Sequence, residues 1–175
     1  FLGSVQPEIT QDFQRYQTWL ADNRHGEMTY LEKNQAARGD LGRVLPGTRS
    51  VLAFALPYYF EEEGKSFRFA KYAQFRDYHK LLKEKGEAIV SYLANEFRGD
   101  YRVVVDSAPL LERALASQTS DGFIGKNTCY IHPTYGSFLL LGEILTTVSF
   151  LQKKSQEVPS ESCGTCTLCQ VECPT

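Results

Sequence analysis

Residues 163–174 read CGTCTLCQVECP, and this stretch decides the fold at the end of the chain. Its spacing, C-x2-C-x2-C-x3-C-P, is the ligand run of bacterial-type [4Fe–4S] ferredoxins. We expect Cys163, Cys166 and Cys169 to share one cluster and Cys173 to reach a second one, because the cysteine before proline ligates the other cluster in two-cluster ferredoxins. No second run follows, so the cluster module is expected to be incomplete in this chain.

Other uses of clustered cysteines fit less well. Zinc knuckles also use C-x2-C, but three successive cysteine spacings followed by C-P are uncommon for zinc. A disulfide framework is disfavoured because the rest of the chain holds a single further cysteine, Cys129, and has the composition of a cytosolic domain. Cys129 itself is expected to be a small buried hydrophobic residue rather than a ligand.

The length and composition bound the architecture. A chain of 175 residues suits one domain with a small appendage, here residues 1–152 and 153–175. The net charge of −2 excludes the overall basic field of a nucleic-acid binder. No apolar run is long enough to span a membrane, and no export leader is visible, so a cytoplasmic protein is expected.

The hydrophobic pattern predicts alternating helices and strands without a strict βαβ repeat. Helices are expected at residues 10–23, 78–97 and 107–118, and strands at residues 50–56, 101–105, 128–131 and 137–145. Residues 58–66 and 152–162 are polar and are expected to form loops. The predicted class is therefore α+β, with a mixed sheet and flanking helices followed by the start of a ferredoxin-like module.

Asp106 is the best candidate for an acid, because it follows three valines at the end of a predicted strand. The simpler interpretation is an N-cap for the helix expected after it, a position that favours aspartate. The two roles conflict, since a helix N-terminus stabilises the carboxylate whereas a general acid has to hold a proton. Local sequence alone favours the cap.

Two further motifs are weak signals on their own. Residues 122–127 form a glycine-rich turn carrying Lys126, which could bind an anion but lacks the spacing of a P-loop. Residues 77–79 resemble the start of the D-x-H-x-x-G signature of cobalt-ligating cobalamin proteins, but Leu82 replaces the glycine. His79 is therefore interpreted as a polar helix residue. His25 and His132 lie in predicted turns and form no metal-ligand pair.

Taken in order, these segments resemble the epoxyqueuosine reductase family. The resemblance is carried by residues 105–114 (VDSAPLLERA), 124–128 (IGKNT), 135–138 (YGSF), 141–145 (LGEIL) and the cysteine run. Residues 25–28, 30–31, 45–50 and 76–80 also match. Two positions depart from the family pattern, the segment 120–123 and Phe75, which puts the shape of the pocket in doubt.

The resemblance implies a function. Members of this family use cobalamin and two [4Fe–4S] clusters to reduce the epoxide of epoxyqueuosine in the tRNA anticodon loop to queuosine. A cobalamin-binding domain of nitroreductase-like fold precedes the ferredoxin module. By resemblance Asp106 is the general acid, which replaces the cap interpretation, and the protein is a monomer. The residues expected to contact cobalamin are Tyr72, Asp106, Lys126, Asn127, Thr128, Tyr130 and Leu141.

Three alternatives remain open. The protein could be an iron–sulfur electron carrier, a cobalamin-dependent reductive dehalogenase, or a cobalamin-trafficking protein. Residues 105–109 argue against the dehalogenase, and the cysteine run argues against trafficking. Because the second cysteine run is lacking, this chain alone is expected to be inactive. The electron donor cannot be identified from the sequence.

Overall fold

The computed structural model describes residues 2–61, 69–74, 76–106, 108–150 and 162–174. The helices in these residues are α1 (Thr10–Ala21), α2 (Gln35–Gly39), α3 (Tyr78–Glu96), α4 (Glu112–Ser117) and α5 (Leu168–Val171). The strands are β1 (Gly3–Val5), β2 (Ser50–Pro57), β3 (Tyr101–Val104), β4 (Phe123–Ile124), β5 (Tyr130–Ile131) and β6 (Leu139–Thr146). Short 3-10 turns lie at Thr29–Leu31, Leu41–Arg43 and Lys71–Gln74.

The main sheet has four strands in the order β1-β2-β6-β3, and every neighbouring pair is antiparallel. The α+β class is confirmed, but the expected mixed sheet is wrong. The reason is that β6 returns between β2 and β3, so the two strands that run in the same direction are never hydrogen-bonded to each other. A separate hairpin is formed by β4 and β5.

The two faces of the sheet bury different clusters, because successive side chains of a strand point to opposite sides. On one face Val51, Val104 and Leu145 pack with Leu110 and Leu115 beside α4. The other face, with Leu52, Phe54 and Ile144, packs against Leu82 of α3. The sheet thus lies between α3 and α4, and the end of β3 opens between these two helices.

The expected helices at 10–23 and 78–97 and the strands at 50–56 and 101–105 are confirmed to within a few residues. The third helix is shorter than expected, because α4 begins at Glu112 rather than near residue 107 and has no side-chain cap. Burial of Leu110 is worth about 1.5–3 kcal/mol, more than the roughly 1 kcal/mol of an N-cap. Packing of this segment onto the sheet therefore wins over capping.

Smaller differences concern the ends of the other strands. The strand expected at 128–131 contains only Tyr130 and Ile131, because Thr128 has a φ of +63° and lies in a turn. The strand expected at 137–145 runs from Leu139 to Thr146. The predicted loop at 58–66 and linker at 152–162 lie largely outside the described residues.

Candidate active site

Asp106 is bound by two side chains from the start of α3. Its Oδ2 accepts hydrogen bonds from the Tyr78 hydroxyl at 2.7 Å and from His79 Nε2 at 3.0 Å. The carboxyl remains 56% exposed on the side facing away from the sheet. An acid that is fixed by two donors and still open to solvent is suited to meet a substrate from outside.

Helix α3 positions these two donors because it begins at the site. Asp77 caps the helix by accepting a hydrogen bond from the His79 backbone N–H at 3.0 Å. The same Oδ1 atom lies 2.9 Å from His79 Nδ1. The imidazole of His79 is therefore held between two carboxylates, that of Asp77 and that of Asp106.

Both ring nitrogens of His79 face acceptors, which suits the charged imidazolium because only that form donates from both nitrogens. The hydrogen bond with Asp77 is the largest cause that raises the pKa of His79, partial burial opposes it, and Asp106 adds to it. Burial, followed by the hydrogen bond to Asp106, raises the pKa of Tyr78. Tyr78 is therefore a neutral donor at every physiological pH.

The backbone of Asp106 is strained. Its φ of +42° lies in the left-handed region, which is uncommon for a residue with a side chain. The Asp106 backbone N–H donates to Glu112 Oε1 at 2.6 Å. Glu112, the first residue of α4, thus holds the turn that presents Asp106.

Glu143 lies below this turn within the sheet. It is opposite Val104 of β3 and Ala53 of β2 in the strand register, and it is 0% exposed. Neither carboxyl oxygen has a hydrogen-bond partner among the described residues. Burial, and then the nearby charge of Glu112, raises the pKa of Glu143 well above its ordinary value.

Sequence reasoning assigned no role to Tyr78, Glu112 or Glu143, and it treated His79 only as a polar helix residue. A signal for Glu143 was available, because a carboxylate inside the apolar run 139–145 is expensive to bury without a reason. The contacts of Tyr78 and His79 with Asp106 span 28 and 27 positions of the sequence. No local pattern reveals contacts over such separations.

Lys126 lies against the cysteine segment instead of the Asp106 carboxyl. Its ammonium donates to the carbonyl oxygens of Gly164 at 2.9 Å and Cys166 at 2.8 Å. Its backbone N–H lies 3.4 Å from the Cys163 sulfur, within hydrogen-bond reach. The glycine-rich turn therefore binds the first part of the cysteine run.

The neighbouring residues Asn127 and Thr128 stabilise the same turn. Asn127 Oδ1 accepts from the Cys129 backbone N–H at 3.1 Å. Arg113 donates to the Thr128 carbonyl at 2.6 Å and lies 3.0 Å from its hydroxyl. Both side chains are exposed and open to a ligand from outside.

The other three residues expected to contact cobalamin lie in different surroundings. The ring of Tyr72 is 48% exposed and meets that of Tyr78 edge-on at 6.1 Å, so it borders the site. Tyr130 is buried, and its hydroxyl lies 3.0 Å from that of Thr119, which makes it part of the core. Leu141 is half-buried on β6, on the same face of the sheet as Glu143.

An exposed aromatic surface lies where β2 ends and β6 begins. Tyr59 is 57% and Phe138 37% exposed, and their rings meet edge-on at 5.1 Å. Tyr58 packs against the same Phe138 ring at 5.5 Å. Exposed aromatic faces of this kind are suited to bury a flat macrocycle such as cobalamin.

The cysteine run also fits its expected ligand in donor chemistry. The four cysteines of the run supply soft thiolate ligands. The Cys166 backbone N–H donates to the Cys163 carbonyl at 2.9 Å, which closes a turn in which Gly164 has a φ of +47°. Among the described residues, no three His, Cys, Asp or Glu side chains are already grouped as a metal site. Cys129 is half-buried rather than buried as expected.

His25 and His132 lie apart from the site and have structural roles. His25 is buried and pairs through Nε2 with Glu32 at 2.8 Å. His132 Nδ1 accepts from the Thr134 backbone N–H at 3.1 Å. Within the described part of the chain, no helix is both long and apolar enough to cross a membrane.

Comparison with known proteins gives a consistent answer. Residues 38–107 match the family described as epoxyqueuosine reductase QueG, DUF1730. The epoxyqueuosine reductase of Gloeobacter violaceus is 39% identical over 161 residues, which cover 90% of this chain and 49% of the relative. The epoxyqueuosine reductase of Xanthomonas campestris pv. campestris is 35% identical over an alignment of 184 residues, which covers 99% of this chain and 51% of the relative. The chain thus spans about half the length of the curated relatives it matches.

Solved structures agree with this relationship. A crystal structure of epoxyqueuosine reductase with an epoxyqueuosine-modified tRNA-Tyr stem loop superposes with a TM-score of 0.83 at 28% identity, covering 99% of this chain and 47% of that one. A structure of the Bacillus subtilis enzyme shows its catalytic aspartate loop swung out of the active site. It superposes with a TM-score of 0.79 at 26% sequence identity, covering 99% of this chain and 47% of that one. By sequence identity and by fold, the chain belongs to the epoxyqueuosine reductase family.

Proposed function

We propose that the full-length protein reduces the epoxide of epoxyqueuosine in tRNA to the alkene of queuosine, with Asp106 as the proton donor. The observation that carries this proposal is the exposed Asp106 carboxyl, held by Tyr78 and His79 at the end of β3. Family membership supplies the substrate. A tRNA substrate also implies a cytoplasmic protein.

The overall reaction sets the demands on the site. Opening the epoxide to an alkene breaks both carbon–oxygen bonds, consumes two electrons and two protons, and releases the oxygen as water. When bound, cobalamin and the [4Fe–4S] clusters supply the electrons. The chain's own residues then have to deliver protons to an oxygen that is otherwise a poor leaving group.

His79 is placed to reprotonate Asp106. A proton on His79 Nε2 faces Asp106 Oδ2 at 3.0 Å, so it can pass to the carboxylate after the acid has given up its own proton. Asp77 holds Nδ1 of the same ring and keeps the imidazole oriented. The exposed ring is then reprotonated from solvent, which accounts for the second proton of each turnover.

Tyr78 contributes orientation. Its neutral hydroxyl donates to the same Oδ2 atom at 2.7 Å, so Tyr78 and His79 bind the same oxygen of the carboxyl. Because hydrogen bonds to charged groups are worth about 1.5–3 kcal/mol, this contact is strong enough to favour one position of the carboxyl. Tyr72 borders the same space and would line the pocket.

The remaining residues are assigned to the cofactors. Cobalamin would be contacted by Tyr72, Asn127, Thr128 and Leu141. One cluster would be bound by Cys163, Cys166 and Cys169, and the second would be reached by Cys173. Lys126 is reassigned from cobalamin to the cluster segment on the strength of its contacts there. Because the aspartate loop of the Bacillus subtilis relative occurs swung out of its active site, we propose that the Asp106 turn also moves.

The test is turnover by the full-length protein. We would load it anaerobically with cobalamin and iron, add a reductant and a tRNA stem loop carrying epoxyqueuosine, and measure queuosine by mass spectrometry. Asp106→Asn should abolish conversion, while Asp12→Asn, an exposed substitution on α1, should convert normally. Equal conversion by Asp106→Asn would remove Asp106 as the acid. Absence of conversion in the loaded wild type would remove the proposed substrate.

A further inference from the structure

Two carboxyl groups near Asp106 have no part in the proton path described above. Glu143 is completely buried and lacks a hydrogen-bond partner among the described residues. Glu112 is half-buried, and its Oε1 accepts the Asp106 backbone N–H at 2.6 Å. Burying a carboxyl without a partner is costly, so an otherwise apolar sheet face would not keep this pair for packing alone.

The strand register places both carboxyls below the Asp106 turn. Glu143 is opposite Val104, the last residue of β3, and Asp106 follows two residues later. Glu112 begins α4, which packs on the same face of the sheet as Val104. The turn that carries the acid therefore rests on one carboxyl through a backbone hydrogen bond and lies above a second.

Charged groups surround Glu112 from several elements. Asp106 lies on the turn after β3, His79 on α3, Glu143 on β6, and Arg113 follows Glu112 on α4. Burial, and then the Asp106 charge, raises the pKa of Glu112 to about 7, against the lowering effects of the Asp106 N–H, Arg113 and His79. Glu112 thus changes its charge in the physiological range, while burial disfavours the charged form of Glu143.

Because the backbone of Asp106 is strained, the charge of Glu112 matters for how firmly this backbone is held. A residue at a φ of +42° persists only where its surroundings hold it. The hydrogen bond from its N–H is the contact in the described residues that acts on its backbone. An ionised carboxylate accepts such a bond about twice as strongly as a neutral acceptor does.

We propose that Glu112 is the positioning residue of the Asp106 turn, holding the turn in the active site when Glu112 is ionised and loosening it when Glu112 is protonated. Glu143, whose charged form is disfavoured by burial, lies opposite Val104 at the end of β3. The effect on catalysis rests on the proposed function, but the hold on the backbone does not.

The direct test uses full-length protein labelled with [15N]aspartate. The amide proton of Asp106 should move downfield as pH rises, with a midpoint close to the pKa of about 7 at Glu112. Glu112→Gln, which keeps the shape and a carbonyl acceptor but cannot ionise, should remove this step. Glu143→Gln should keep it. Persistence of the step in Glu112→Gln would overturn the proposal.

The kinetic test asks for a change that a purely structural role would not produce. At pH 8, kcat/KM of Glu112→Gln should be about tenfold below that of the wild type, the difference between a charge-assisted and a neutral hydrogen bond. At pH 6 the two should be nearly equal, because the wild-type residue is then protonated. Glu96→Gln, an exposed substitution at the end of α3, should match the wild type at both values.

The two tests separate the two proposals. An amide step that depends on Glu112 in a protein that does not reduce epoxyqueuosine would support the positioning role and refute the substrate. Normal reduction with equal pH profiles for wild type and Glu112→Gln would refute the positioning role and keep the substrate.

Discussion

The raised pKa of Glu112 has a consequence for stability that can be measured without any cofactor. The pKa rises from 4.5 to about 7 on folding, which corresponds to about 3 kcal/mol of free energy. The folded chain therefore binds more protons than the unfolded chain between these two values. The free energy of unfolding falls as pH rises through this window, and the loss is complete above pH 7.

Glu112→Gln removes this dependence because glutamine does not titrate. Near pH 4.5 the variant and the wild type should have similar stability, since both carry a neutral side chain at this position. At pH 8 the variant should be more stable by up to about 3 kcal/mol. The same substitution should slow turnover at pH 8, so that stability and activity change in opposite directions.

The measurement is urea unfolding of the 175-residue chain between pH 4.5 and 8, followed by fluorescence of Trp19, its single tryptophan. Groups that do not interact with residue 112 titrate alike in both proteins and cancel in the difference between the two curves. If the unfolding free energies of the two proteins change in parallel with pH, the environment of Glu112 does not disfavour its charge. The reasoning on Glu112 and Glu143 would then be refuted.

Three further substitutions test the packing, the cluster segment and the acid. Gly86→Ala should destabilise the chain by about 1 kcal/mol in urea unfolding, because the new Cβ would lie 2.5 Å from Val103 Cγ1. Overpacking costs about 1–3 kcal/mol, which outweighs the roughly 1 kcal/mol gained in helix propensity. An unchanged or higher unfolding midpoint would contradict this. Full-length protein loaded with iron and carrying Lys126→Met should lose iron to a chelator about tenfold faster than the wild type, because two charged hydrogen bonds to the cysteine segment are lost. Equal release rates would show that the contact is dispensable. Tyr78→Phe should reduce single-turnover conversion by about tenfold to a hundredfold through loss of its bond to Asp106, whereas a wild-type rate would remove Tyr78 from the site.

The sequence predicted the regular elements well where periodicity was strong. The apolar spacing in α1 and α3 and the continuous apolar run of β2 are local signals, and each element lies within a few residues of its expected bounds. The start of α4 was misplaced because the burial of Leu110 depends on the sheet face opposite it. The strand directions were also beyond the sequence, since they depend on where β6 inserts.

The site was predictable only in part, for a related reason. Resemblance to the family singled out Asp106, but the side chains that bind its carboxyl come from α3. Lys126 reaches Gly164 across 38 positions, and His79 reaches Asp106 across 27. A motif identifies a residue type at a position, whereas hydrogen-bond partners of this kind are set by the fold.

The first turn of α4 joins the acid to the cluster segment. Glu112 holds the Asp106 backbone, and the adjacent Arg113 holds the carbonyl of Thr128. The turn that contains Thr128 also carries Lys126, whose ammonium donates to the carbonyls of Gly164 and Cys166 in the first part of the cysteine run. Because these contacts follow one another without a gap, the position of the proton donor and that of the expected electron-transfer ligands are fixed by the same short helix. For the proposed reduction, we expect the neighbouring residues Glu112 and Arg113 to keep the Asp106 turn and the cluster segment in a fixed arrangement.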